Sequence, residues 1–167
     1  LETSVWELAE GDFNTALLKA IALGKLGRED EARRLFLRAQ NFSSHLPLAY
    51  YHYGRYLATI GQAKEAAMQL YLAELSSPDP DKAVFSGDHR QECEAFLAKV
   101  YLALGEVYLK QGILETARNY FELSFSRNPF EPKAIKGMAD SYFLAGNLDR
   151  AADYILWGQS RFSDDPT

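Results

Sequence analysis

Residues 98–131 read AKVYLALGEVYLKQGILETARNYFELSFSRNPFE, and the spacing of this stretch decides the fold. Apolar side chains at Tyr101, Leu104, Val107 and Tyr108 recur at steps of three and four residues, the period of a helix with one buried face. Lys110-Gln111-Gly112 ends that helix, because glycine enters the left-handed region without a side-chain clash. A second helix follows at once, with Ala117, Tyr120, Phe121 and Ser124 on its inner face, and Asn128-Pro129 stops it. The stretch is predicted to be an antiparallel helical hairpin. Gly105 and Ala117 fall where its two helices cross most closely, leaving room for Tyr108 and Phe121 to interdigitate.

The same spacing returns along the chain at a step of 34 residues. One copy places Tyr50, Tyr53, Gly54, Leu57, Gly61, Ala66, Leu70, Ala73 and Pro78 in register; another places Ile135, Met138, Ala139, Tyr142, Gly146, Ala151, Ile155 and Gly158. A weaker copy near the start keeps Ala16, Ala20, Leu23, Gly27, Ala32, Phe36 and Ala39. A period between 20 and 50 residues signals a solenoid, in which each unit buries its apolar face against its neighbours. The pattern resembles the tetratricopeptide repeat (TPR), a 34-residue helix-turn-helix unit, with copies at about 13–46, 47–80, 98–131 and 132–165. The first departs most, having Lys19 in place of a large apolar residue and Ser44 in place of the closing proline. The resemblance implies an all-α fold, an α-α superhelix of antiparallel helix pairs forming a single domain over 1–167.

Composition fits a folded chain, with 47% hydrophobic and 25% charged residues, near the globular average. The formal charge of −5 comes from 18 basic and 23 acidic residues spread evenly. Without a basic tail or stripe, nucleic acid is not an expected partner. No apolar run approaches the length of a membrane span and no charged-then-apolar leader opens the chain, so membrane insertion is not expected either. The chain begins with Leu1, as an excised domain or processed product would. The lone Cys93 closes no intrachain disulfide, which suits a reducing compartment and does not exclude export.

Between the second and third copies the step lengthens, inserting residues 81–97. Ser77-Pro78-Asp79-Pro80 breaks the preceding helix, and Asp88 with Gln91 has the spacing of a capping box. Cys93, Phe96, Leu97, Val100, Tyr101 and Leu104 then continue the apolar period without interruption. The first helix of the third copy is thus predicted to run from about 89 to about 111, roughly 35 Å at 1.5 Å per residue. The projecting turns, or the loop 79–88, offer either a tolerated insertion or a partner contact. At the chain's two ends, residues 1–12, with Val5, Trp6 and Leu8, have the register of the close of a preceding second helix, and Ile155, Leu156 and Trp157 belong to a helix with no successor to cover it. Either the chain is part of a longer array or it packs an end against another chain, self-association included.

Residues for chemistry are scarce. His89 and Cys93, one helical turn apart, form the only ligand-like pair, and structural zinc wants four ligands. No phosphate loop or nucleophile elbow is present, so neither catalysis, a metal nor a cofactor is expected. In proteins of this resemblance the first helices line a concave surface that takes up a peptide or partner helix. The positions it implies are Asn14, Leu17 and Ile21; Leu48, Tyr51 and Arg55; Lys99, Leu102, Glu106 and Lys110; and Lys133, Lys136, Asp140 and Phe143. Lys99, Lys133 and Lys136 are expected to attract an acidic stretch of ligand, with Tyr51, Leu102 and Phe143 as apolar anchors. Positions matching the lysine/asparagine clamp of chaperone-binding members carry no asparagines, so a chaperone tail is not the expected ligand. The expected function is a non-catalytic protein-interaction scaffold within a larger protein or complex. The alternatives are the regulatory arm of an enzyme whose catalytic part lies elsewhere and, third, an RNA-binding helical repeat.

Overall fold

The computed structural model describes residues 13–41, 46–80 and 87–162. The expectations for residues 1–12, for Ser44 and for 81–86 lie outside the described residues. Among the described residues the secondary structure is wholly helical: α1 (Phe13–Lys25), α2 (Glu29–Ala39), α3 (Leu46–Thr59), α4 (Ala63–Ser76), α5 (Gly87–Lys110), α6 (Leu114–Arg127), α7 (Pro132–Leu144) and α8 (Leu148–Phe162). The expected all-α class of antiparallel helix pairs is what the structure shows. The pairs are α1–α2, α3–α4, α5–α6 and α7–α8, and residue contacts divide the chain into two compact units between Ser76 and Ser77.

Each pair is closed by the same device. Gly27, Gly61, Gly112 and Gly146 have φ of 74°, 81°, 73° and 77°, the left-handed region that a side chain disfavours. At Gly112 the turn is a Schellman motif: the amide of Gly112 donates to Leu109 O at 3.0 Å, and that of Ile113 to Tyr108 O at 3.0 Å. The carbonyl of Ile113 then accepts from Ala117 N at 3.0 Å, starting α6 two residues after the glycine. Because the turn leaves no slack, the two helices must fold back against each other along their length.

Within the first unit α2 and α3 meet at Phe36, whose ring stacks on Tyr53 and Tyr56 with centroids 5.2 and 5.1 Å away. Gly54 lets α3 press on α4, since a β-carbon there would stand 2.8 Å from Leu70 Cγ. In the second unit the core gathers Leu102, Ala117, Phe121, Ala134, Ile135 and Met138. The Phe121 ring lies under two glycines at once. A β-carbon at Gly105 would come within 2.6 Å of it, and one at Gly137 on α7 would collide with it too. A buried hydrogen bond from Ser124 Oγ to Ala98 O, 2.8 Å long, joins α6 to α5. The capping-box expectation for Asp88 is corrected in register: α5 begins at Gly87, which puts Asp88 inside its first turn.

Candidate binding surfaces

Two clefts follow from the way first helices sit beside their neighbours. The one in the first unit lies between α1 and α3, measures about 420 Å³ and is lined by Ile21, Gly24, Lys25, Phe36, His52, Arg55, Tyr56 and Thr59. Ile21 and Lys25 are one turn apart on α1, and His52, Arg55 and Thr59 follow the facing stripe of α3 at three- and four-residue steps. Phe36 and the ring of Tyr56 form an apolar floor, and Tyr56 can lie flat there because Gly24 offers no side chain: a β-carbon would be 2.6 Å from Tyr56 Cε2. Lys25, His52 and Arg55 give the lining three basic side chains and no carboxylate, in a chain whose net charge is −5. Arg55 Nη1 donates to Tyr51 Oη at 3.4 Å, and Tyr51 packs edge-on against His52. Burial pushes the Tyr53 and Tyr56 phenols above their ordinary value, with nearby Arg33 opposing that rise. Tyr56 Oη is buried and has no hydrogen-bond partner among the described residues.

The second cleft, about 490 Å³, lies between α7 and α8 and is bounded by Pro132, Ile135, Lys136, Ala139, Asp140, Tyr154, Ile155, Gly158, Gln159 and Phe162. It is mostly apolar, and the charges on its rim, Lys136 and Asp140, are ion-paired with each other one turn apart.

The sequence-predicted positions divide between these surfaces and the interior. Leu48 and Tyr51 are half-buried, Arg55 is exposed, and Arg55 with Ile21 lines the first cleft. Lys99 and Lys133 are exposed, Glu106 is half-buried, and Phe143 projects at 63% exposure. Lys136 and Asp140 come together in the second cleft. Leu102 departs from its expected place: it is 6% exposed and packs with Phe121, Ala134, Ile135 and Met138, because α7 closes over it. Leu17 is buried as well. The basic cluster expected at Lys99, Lys133 and Lys136 is blunted by Asp140, whereas Lys25, absent from the sequence-derived set, joins Arg55 and His52. The signal for it was available, since Lys25 continues the Leu17–Ile21 line by one turn.

Among the described residues no three His, Cys, Asp or Glu side chains come together as a metal site would require. Among them, too, no helix is long and apolar enough to cross a membrane.

Comparison with known proteins agrees with this architecture. A sequence profile of the tetratricopeptide repeat matches residues 17–83 and 100–164. No curated protein matches the sequence. Among solved structures, PilF of Pseudomonas aeruginosa is similar at 19% identity with a TM-score of 0.70, covering 89% of this chain and 60% of PilF. MamA from Desulfovibrio magneticus RS-1, solved from residue 41 to its end, is similar at 20% identity with a TM-score of 0.72, covering 93% of this chain and 78% of that one. A further MamA structure gives 19% identity and a TM-score of 0.71 over 98% of this chain and 81% of its own. At these identities the likeness is one of fold. This chain spans three fifths of the PilF structure. With the profile covering most of its length and the glycine-closed helix pairs in place, the chain belongs to the tetratricopeptide repeat family.

Proposed function

We propose that the chain is a non-catalytic interaction module that holds an acidic, extended segment of a partner protein in the α1–α3 cleft. The observation that carries this reading is the lining itself: an apolar floor of Ile21, Phe36 and Tyr56 beneath the basic side chains of Lys25, His52 and Arg55. An apolar side chain of the ligand supplies affinity by leaving water, and flanking carboxylates supply orientation and encounter rate. The family's general role in protein–protein interaction supports the wider statement, and the cleft supports the choice of charge.

The experiment is a peptide array that presents acid-rich sequences beside their charge-reversed counterparts, probed with the wild-type chain and with a Lys25→Glu, Arg55→Glu double variant. Capture is expected to favour the acid-rich members, to weaken with added salt, and to fall at least about tenfold in the variant, a loss of about 1.4 kcal/mol. Equal capture of both sets by the wild type, or an unchanged profile for the variant, rules the cleft out as the recognition surface.

A further inference from the structure

The basic lining of the α1–α3 cleft is not a property of the repeat. In the second unit the places of Ile21, His52 and Arg55 are held by Glu106, Gly137 and Asp140, and only Lys25 keeps a basic counterpart, Lys110. Two carboxylates and one lysine thus stand where the first unit has three bases and no acid, and Asp140 is itself paired with Lys136. The cations of the first unit are left uncompensated. Among the described residues Lys25 has no ion-pair partner, and Arg55 Nη1 donates to the neutral hydroxyl of Tyr51 at 3.4 Å rather than to a carboxylate. Arg33 on α2, by contrast, is tied to Glu65 at 3.3 Å.

We infer that the acid this cleft reads is a phosphate monoester, a phosphoserine or phosphothreonine that stands beside an apolar residue in the partner segment. The inference rests on the α1–α3 cleft being the recognition surface. A carboxylate carries a single charge on two oxygens in one plane, so it answers the cation of one helix and leaves that of the other exposed to nothing but water. A phosphate monoester brings a charge of about −1.5 to −2 at pH 7 and three acceptor oxygens. That serves Lys25 on α1 and Arg55 on α3 together, with a ring N–H of His52 as a further donor. The layering of the cleft sets where the phosphate rides. Phe36 and Tyr56 are buried in an apolar floor, whereas Lys25 and Arg55 are exposed at the rim. An apolar side chain therefore enters the floor while its phosphorylated neighbour stays at the rim. A phosphotyrosine would lead with its charge into that floor, so the shorter hydroxyl residues carry the phosphate. Docking is then switched on by phosphorylation of the partner.

The test is fluorescence polarisation with short labelled peptides that differ at one position, phosphoserine, glutamate or serine, each followed by leucine. They are titrated with the 167-residue chain and with its Lys25→Gln and Arg55→Gln variants. Both substitutions replace exposed side chains, and circular dichroism confirms that each variant keeps its helices. The phosphoserine peptide is expected to bind at least about tenfold more tightly than the glutamate peptide, and each variant to lose most of that advantage. Equal affinity for phosphoserine and glutamate overturns the inference and leaves the acidic reading of the cleft standing. No binding by any of the peptides overturns both. A phosphoserine advantage that persists in the two variants also overturns it, because another surface would then hold the phosphate.

Discussion

Gly105 and Leu102 are three residues apart on α5, and the sequence exposed the role of one and concealed that of the other. Gly105 recurs in step with Gly54, and small residues at one repeat position announce a close helix crossing. The structure puts the Phe121 ring there, leaving no space for a side chain. Gly105→Leu is therefore expected to destabilise the chain by roughly 1–3 kcal/mol through overpacking, read as a lower urea midpoint with an unchanged slope. Leu102 was assigned to an open surface from its place in the repeat, yet it is buried. What decides its burial is α7, and α7 enters from more than 30 residues away in sequence. The same position holds exposed Lys136 in the next pair, so position within the repeat does not by itself distinguish seam from surface.

At the scale of an element, α5 shows how far a continuous pattern can be read. Its 24 residues were legible because the apolar period runs unbroken from Cys93 to Tyr108, and the residue where it starts was not, since Gly87 gives no strong helix signal. The two halves of α5 are held very differently. From Leu97 to Leu104 the inner face is buried and Ser124 bonds to the backbone at Ala98. The stretch from His89 to Gln91 is exposed, and the ties nearby include the pairs of Arg90 with Glu94 at 3.3 Å and Arg127 with Glu94 at 4.0 Å. An ion pair with a solvent-exposed member, as Arg90 is here, contributes little. Amide hydrogen exchange is expected to be at least about tenfold faster at residues 90–94 than at 100–104. Equal protection along the helix would show that the added turns are packed against something.

For the whole molecule, alkaline pH is the condition that reaches both units. Burial raises the phenols of Tyr53 and Tyr56 in the first unit and of Tyr154 in the second above the ordinary tyrosine value of 10.0. A group whose folded pKa is raised stabilises the fold below its unfolded pKa and loses that contribution as pH rises through the folded one. The melting temperature is thus expected to be insensitive to these tyrosines up to about pH 9.5 and to fall from pH 10 upward. Replacing Tyr53, Tyr56 and Tyr154 by Phe together should flatten that decline in thermal melts followed by circular dichroism; an equal decline in the triple variant would assign it to other groups. The architecture was legible at this scale because the period repeats four times. The location of the basic lining was not. It depends on which side chains two non-adjacent helices bring face to face, and on Asp140 neutralising Lys136.

The ring of Phe121 touches a glycine of its own hairpin and a glycine of the next. One side chain thereby couples the melting of α5–α6 to that of α7–α8. Truncated to alanine, it would leave a void at the point where both hairpins meet, at a cost of about 3–5 kcal/mol. Cooperativity in the second unit rests on that shared ring, and without it the α7–α8 hairpin would come apart at a lower temperature than the hairpin it leans on.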